Sequence, residues 1–230
     1  MGSVKRMIRV PPQTVVVFAD IGCPWAHAAL FRLHRYRDKM GLSEAVRFDV
    51  RAFPLEIFNR RPTPKLVLDA ETVSVGAMEP GAGWQMWQSP PHQYPVTTLL
   101  PMEAVEAVKE QSPEASEELD RALRVAFFGE SRCISVRDVI LDVADPCDHV
   151  DVDRLRVALD DGRARRAVID QKEQAEEHAK GSPHLFLADG SDFHNPGVQF
   201  HWEGSPGHGF PVVDSDDASI YEDILRRAAD

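Results

Sequence analysis

Apolar and polar positions change their spacing along the first quarter of the chain in a way that predicts strand, helix and strand. An apolar, β-branched run predicts a strand over Thr14–Ala19 that is buried on both faces. Apolar residues then recur at steps of three and four, which predicts a helix from Pro24 to Met40 that ends at Gly41. Strict alternation over Val46–Phe53 predicts a second strand with one buried face. This order predicts a right-handed parallel unit.

The second block, residues 59–178, shows helical periods and no convincing strand. Its opening part, Asn59–Pro95, is rich in proline and glycine and is interpreted as a loop with short helices. Helical spacing of apolar residues follows, and the last predicted helix, Arg163–Lys180, is so charged that we interpret it as having a solvated face. Starting signals for three of these helices are Ser112, Ser135, and Asp151 or Asp153.

The third block returns to a strand pattern before a final helix. Residues Gly181–Gly190 are interpreted as a loop, a strand and an Asp-Gly hairpin turn, with a further strand expected around Asp192–Asn195. A last helix is expected over Asp217–Ala229. The pattern therefore predicts an α/β fold whose strands are separated by a long helical insertion.

Composition narrows the classes of partner. The chain has 230 residues, enough for one large domain or a domain with an insertion. Its net charge of −11 disfavours nucleic acid and anionic membranes as partners, and no apolar run is long enough to span a bilayer. The N-terminal segment Met1–Gln13 is basic but has no apolar core, so we do not interpret it as a signal peptide. Three cysteines without framework spacing favour a cytoplasmic location.

Cys23 is the candidate reactive group because it lies between the first strand and the first helix. Unpaired N–H groups and the dipole at a helix N-terminus stabilise a thiolate, so we expect its pKa to lie below the ordinary value of about 8.5. Cys133 and Cys147 lie in the helical block. Either one could resolve a mixed disulfide on Cys23 if it came within reach, although buried or incidental cysteines are the favoured interpretation.

The stretch Cys23-Pro24-Trp25-Ala26 resembles the Cys-Pro-x-Cys motif of the DsbA family, whose FrnE-like branch often carries Cys-Pro-Trp-Cys. Ala26 stands where that family has its second, resolving cysteine. Ser182-Pro183 stands where family members carry a cis proline that faces the motif cysteine. The resemblance covers nearly the whole chain. It implies a thioredoxin-like α/β fold with an inserted all-helical domain, in which residues 1–58 and 179–230 form the thioredoxin-like domain and residues 59–178 the insertion.

The resemblance also implies a function in which Cys23 acts alone. Thiol–disulfide exchange would use a low-molecular-weight thiol, glutathione or mycothiol, as the resolving partner, with a small-molecule or peptide thiol or disulfide as substrate and no tightly bound cofactor. The same superfamily includes kappa-class glutathione transferases and 2-hydroxychromene-2-carboxylate isomerases, which carry Ser-Pro instead of Cys-Pro. A thiol-cofactor-dependent transferase or isomerase, and an inactive thioredoxin-fold binding protein, are therefore the alternatives. A homodimer is compatible with all three.

Residues around Cys23 have two interpretations each. By resemblance, substrate or thiol would contact the motif residues Pro24, Trp25 and Ala26 and the pair Ser182-Pro183, which offers the backbone of Ser182. The alternative is that Trp25 serves packing and Pro183 a turn. His27 and Asp20 could assist proton transfer, but a solvated or partly packed histidine and a turn-forming aspartate are favoured. A metal site is rejected for three evenly spaced histidines, because no regular element puts them on one face. These are His194, His201 and His208.

Overall fold

The computed structural model describes residues 8–230, so the first seven residues of the basic N-terminal segment, and that part of the signal-peptide interpretation, lie outside the described residues. Six strands and nine α-helices form in the described part. The strands are β1 (Thr14–Ala19), β2 (Arg47–Ala52), β3 (His184–Phe186), β4 (Asp192–His194), β5 (Val198–Glu203) and β6 (Phe210–Asp216). The helices are α1 (Pro24–Lys39), α2 (Leu55–Phe58), α3 (Lys65–Met78), α4 (Leu99–Val108), α5 (Pro113–Phe128), α6 (Arg137–Ala144), α7 (Val152–Asp161), α8 (Arg165–His178) and α9 (Ile220–Ala229). Two 3-10 turns cover Pro80–Ala82 and Pro91–Gln93.

The main sheet has the strand order β2-β1-β3-β4. β1 and β2 run parallel and are joined through α1, which confirms the predicted parallel unit. β3 runs antiparallel to β1, and β4 forms a hairpin with β3. The turn of that hairpin contains Gly190, whose φ of +87° is a conformation that glycine adopts without steric cost. The central strand β1 is almost wholly buried, as its apolar run predicts.

Two large apolar clusters stabilise the chain. One contains the sheet, α1 and α9, with Val17, Leu33 and Leu225 fully buried. The other joins α4 to α8 around residues such as Leu123 and Leu155. Each fully buried side chain of this kind contributes about 1.5–3 kcal/mol. Within the described residues, no helix is both long and apolar enough to cross a membrane.

The interpretation of Asn59–Pro95 as a loop with short helices was wrong over α3, which has 14 residues. The helix has no side-chain cap and contains β-branched residues, so local propensity is weak. Tertiary packing stabilises it instead, because Leu68 is buried in the helical cluster and Val75 in the sheet cluster.

The hairpin of β5 and β6 was also missed, since the sequence analysis assigned no strand to this glycine- and proline-rich segment. β5 and β6 form a separate two-stranded antiparallel sheet. The pattern was present in β5, where partly buried Val198, Phe200 and Trp202 alternate with exposed polar residues. Glycines in the connection between the two strands masked this period of two.

Two of the three helix-start signals act as predicted. The Ser112 hydroxyl accepts a hydrogen bond from the Ala115 N–H at 3.0 Å, and the Asp151 carboxylate caps α7 by accepting from the Arg154 N–H. The prediction for Ser135 was wrong, because α6 begins at Arg137 and the Ser135 hydroxyl donates to the Thr97 carbonyl at 2.6 Å. The Ser135 hydroxyl is engaged by the Thr97 carbonyl, which lies outside the helix, and does not cap α6.

Replacing Ser112 with alanine is expected to lower the free energy of unfolding by about 1 kcal/mol, because the variant leaves the first-turn N–H group of Ala115 without its acceptor. Urea unfolding followed by circular dichroism measures this change. Ser112→Asp keeps an acceptor oxygen and should stay near the wild-type value. Equal stability of the alanine variant and the wild type would show that the cap contributes nothing.

Candidate functional site

Cys23 lies at the junction between β1 and α1, as the sequence predicts. It is the N-cap residue of α1, with extended backbone angles, and Pro24 occupies the first helical position. The Cys23 Sγ donates to the Ser182 carbonyl at 3.2 Å, and the Ser182–Pro183 peptide bond is cis. The Ser182 hydroxyl in turn accepts from the Asp20 N–H at 2.9 Å. The end of β1 and the loop before β3 are thus joined directly at the thiol.

The expected activation of this thiol is contradicted by its surroundings. Cys23 is only 4% exposed, and burial raises the pKa of its thiol to about 12. The negative charge of Glu71 raises it further, whereas the Ser182 side chain and the Ala26 N–H group lower it. Loss of water around the thiolate therefore outweighs the stabilisation that the helix N-terminus provides. The sequence predicts that Cys23 lies at the N-terminus of a helix, but it does not show the packing that excludes water from the thiol.

Trp25 and Ala26 close the site on the helix side. The Trp25 ring stacks on Phe200 of β5 with centroids 4.0 Å apart, and its Nε1 donates to the Glu71 carboxylate at 3.3 Å. Ala26 is fully buried in the same apolar cluster as Cys23. Trp25 therefore has a packing role as well as a place beside the thiol.

The β5–β6 hairpin, which packs on Trp25 through Phe200, is itself fastened to α1 and α3. Arg32 of α1 makes two hydrogen bonds to the Asp216 carboxylate, at 2.6 and 2.7 Å, and a third to Glu79 at 2.8 Å. Ser74 of α3 donates to the Pro211 carbonyl at 2.7 Å. The bonds to Asp216 and Pro211 fasten the hairpin to α1, which carries Trp25, and to α3.

Asp20 shapes the loop that carries Cys23. Its carboxylate accepts hydrogen bonds from the N–H groups of Gly22 and Leu55, each at 2.8 Å, and from the Thr98 hydroxyl at 3.1 Å. Burial raises the pKa of this carboxyl. The contacts are those of the turn-forming residue that the sequence favours.

His27 is buried, which corrects the interpretation of a solvated or partly packed ring. Its Nε2 donates to the Ala82 carbonyl at 2.9 Å, and its ring stacks on Phe128 with centroids 4.7 Å apart. Burial, together with the charge of Arg124, lowers its pKa to about 3. The ring is therefore neutral at physiological pH and is held by contacts other than Cys23.

Two polar residues that the sequence did not single out complete the site. Glu71 reaches it from α3, and burial raises the pKa of its carboxyl to about 7. Arg124 of α5 is 2% exposed and donates to the carbonyls of Asp20 and Ile21, at 3.0 and 3.3 Å. No local signal marks Glu71, because the segment that carries it was interpreted as a loop.

Within residues 8–230, none of the remaining candidates forms a disulfide or a hydrogen bond with Cys23. All three cysteines are free, and Cys147 is buried in the helical cluster with its Sγ 3.6 Å from the Val143 carbonyl. Cys133 is half-buried. His201 contacts the carboxylates of Asp214 and Glu203 on the exposed face of the hairpin. Over residues 8–230, no three histidine, cysteine, aspartate or glutamate side chains converge as metal ligands.

Comparisons with known proteins show which family and which solved structures the chain is similar to. A model of the DSBA-like thioredoxin domain matches residues 14–200, whereas no curated protein matches significantly. The solved structure of a probable DsbA oxidoreductase from Streptomyces coelicolor is similar with a TM-score of 0.67, at 18% identity, over 94% of this chain and 89% of that one. Cytosolic disulfide reductase DsbM from Pseudomonas aeruginosa is similar with a TM-score of 0.61, at 14% identity, over 93% and 95% of the two chains. DsbM with GSH gives the same values. The predicted thioredoxin-like α/β fold class is thereby confirmed.

Proposed function

This chain belongs to the DSBA-like thioredoxin domain family, and from that premise we propose that Cys23 acts as a single thiol in thiol–disulfide exchange with a low-molecular-weight thiol. The observation that carries the proposal is the position of the Cys23 Sγ, 3.2 Å from the carbonyl of the residue before Pro183. Position 26, one helical turn further on, holds a buried alanine. A nucleophilic sulfur is thus present without a neighbouring thiol to resolve its mixed disulfide.

The thiol–disulfide exchange proceeds in two steps. Attack of Cys23 on a disulfide forms a bond between Sγ and one substrate sulfur, breaks the substrate S–S bond and releases the other sulfur as a thiol. A low-molecular-weight thiol then attacks the substrate sulfur of the mixed disulfide, so that a new disulfide leaves and the Cys23 thiol returns. Ala26 leaves this second step to a thiol from solution.

Substrate access requires the site to open. Cys23 is 4% exposed, and Trp25, held by Phe200 and Glu71, lies beside it. When Cys23 turns toward a substrate sulfur, the Ser182 carbonyl loses its bond to the thiol. That carbonyl is then free to accept an N–H group from an extended peptide or from a peptide-like thiol such as glutathione.

Glutathione is the thiol to test first, because the similar protein DsbM has been solved with GSH. Incubation with glutathione disulfide should add one glutathione to Cys23, detected by intact mass and located by peptide mass spectrometry. Cys23→Ser should carry no adduct, and Cys133→Ser should keep it. An adduct confined to Cys133 or Cys147, or no adduct, would contradict the proposal. Mycothiol disulfide serves as the parallel probe.

The burial of Cys23 supports a second candidate, a thioredoxin-fold binding protein in which this cysteine performs no exchange. A thiol with a pKa of about 12 is almost wholly protonated at neutral pH. In this case glutathione would leave no adduct on Cys23. A rise in melting temperature with reduced glutathione, without an adduct, would instead favour use of the thiol as a cofactor in transferase or isomerase chemistry.

A further inference from the structure

A cavity of about 240 Å³ lies between α1 and α5 and is also lined by residues 81–83. Four residues at steps of three and four line it from one face of α1, and these are His27, Leu30, Phe31 and His34. A side chain at Gly83 would meet no atom within 4 Å of its Cβ, so this turn leaves the space unfilled. Neither Cys23 nor Pro183 belongs to the lining, so the cavity is separate from the site described above.

The cavity has the size and the apolar walls of a site for one small ring. Leu30 and Phe31 of α1 and Val125 of α5 supply apolar surface. Val125 and Arg121 are exposed, so the cavity meets solvent on the α5 side. A cavity of about 150 Å³ with apolar walls can hold benzene. The larger space here therefore holds a ring of that size together with one polar substituent.

Two donors in the lining have no acceptor in the described part of the chain. The Arg121 guanidinium forms no salt bridge there, and the ion pairs of α5 belong to other residues, which are Glu114, Glu117, Glu118, Asp120 and Arg124. His34 Nδ1 accepts from Arg37 Nη2 at 3.2 Å, so the neutral ring carries its proton on Nε2. Among residues 8–230 no group accepts from this N–H. Donors at an apolar cavity without partners match a ligand that brings acceptor oxygens.

The lining of the cavity is positive, although the whole chain has a net charge of −11. Its charged residues are Asp120, Arg121 and Arg124, and Asp120 pairs with Arg124. His27 and His34 are neutral at physiological pH, because burial and nearby arginine charges lower the pKa of each ring to about 3. Arg121 is therefore the unbalanced charge that a ligand meets, and it favours an anion.

We propose that this cavity binds a small apolar carboxylate. The carboxylate accepts from the Arg121 guanidinium and from the His34 Nε2–H group, and the apolar part packs against Leu30, Phe31 and Val125. A carboxylate brings one negative charge, which matches the single unpaired arginine. The site needs no thiol chemistry and therefore goes beyond the proposed function.

Sodium benzoate is the probe, and amide chemical shifts of the full chain in NMR spectra locate its binding. The shift changes should concentrate at residues 27–34, 81–83 and 120–125 and should saturate at millimolar concentrations. Benzyl alcohol lacks the charge and acetate lacks the ring. Each should bind more weakly than benzoate by about tenfold or more.

Two variants test the charge and the space separately. Arg121→Gln should weaken benzoate binding by about tenfold or more, because it removes a charged donor. Val125→Phe should abolish binding, since the larger side chain fills the cavity and leaves Arg121 in place. Arg156→Gln, at an exposed position of α7, removes an equal charge outside the cavity and should bind benzoate as the wild type does. Arg121 is exposed, so its variant tests the site even if Val125→Phe fails to fold.

Four results would overturn the inference. These are no benzoate shifts in the wild type, shifts concentrated on Cys23 and Ser182, Arg121→Gln binding as tight as the wild type, and benzyl alcohol binding as tight as benzoate. Cys23→Ser should bind benzoate as tightly as the wild type. The benzoate test is therefore separate from the glutathione adduct on which the proposed function depends, and either can fail alone.

Discussion

Replacing Ala26 with cysteine is expected to produce an intramolecular disulfide between positions 23 and 26 and a disulfide-reductase activity well above that of the wild type. The Ala26 N–H lies close enough to the Cys23 thiol to lower its pKa, so a side chain three residues further along α1 starts from the same end of the helix. Cysteines so placed fall within the Cα separation that a disulfide needs. A resolving thiol held in place reacts on the order of a hundredfold faster than one from dilute solution.

Insulin reduction in the presence of excess glutathione measures this gain, and thiol counting after oxidation detects the disulfide. The wild type should accumulate as a mixed disulfide on Cys23 and turn over only as fast as glutathione from solution resolves it. Ala26→Ser is the matched control, because it adds one heavy atom to the same fully buried position without a thiol. Wild-type turnover as fast as that of Ala26→Cys and independent of the glutathione concentration would mean that Cys133 or Cys147 resolves the mixed disulfide. Absence of a disulfide in Ala26→Cys would mean that the two positions are too far apart.

Replacing Arg124 with methionine is expected to destabilise the protein by about 3–5 kcal/mol, the usual effect of removing one partner of a buried ion pair. Arg124 donates to both oxygens of Asp120, at 2.8 and 3.0 Å, and Asp120 is itself buried. The same guanidinium donates to the carbonyls of Asp20 and Ile21 in the loop before Cys23. The variant leaves the buried Asp120 carboxylate and the Ile21 carbonyl without these donors, and it leaves the Asp20 carbonyl with the Cys23 N–H alone.

Urea unfolding gives the size of this effect, and Arg121→Met, an exposed position on the same helix, should change stability by less than about 0.5 kcal/mol. The double variant Asp120→Leu with Arg124→Met removes the stranded carboxylate and should recover part of the loss. Full recovery would show that the loop carbonyls gain nothing from Arg124. A single variant as stable as the wild type would refute the buried pair as a stabilising element.

The first third of the fold could be predicted because local and tertiary preferences agree there. β1 has the β-branched run of a buried strand, Pro24 begins α1, and Gly41 follows its end with a φ of +68°. Ser182-Pro183 could be paired with Cys23 by resemblance alone, since 159 positions separate the two residues that touch. No spacing rule reaches across that distance.

The two elements that the sequence analysis missed have one property in common. Each is stabilised by residues that are distant in sequence. α3 has weak helix signals and depends on burial of Val75 against the sheet. The β5–β6 hairpin depends on Arg32 and Trp25 of α1. Because these two elements also pack against Trp25, next to Cys23 in the motif, missing them meant that burial of the thiol and the contact between Glu71 and Trp25 could not be anticipated. The error in the thiol pKa thus follows from the errors in secondary structure.

The connection between Cys23 and Ser182 also has a consequence for biosynthesis. Cys23 leaves the ribosome with β1, but Ser182 follows 159 residues later. At about 5–20 residues per second, synthesis of that interval takes roughly 8–30 s. Throughout it the nascent thiol lacks Ser182 and β3, so we expect it to be more accessible than in the completed fold. Oxidation of Cys23 is therefore expected to be faster on the growing chain than in the completed fold, where the thiol is 4% exposed.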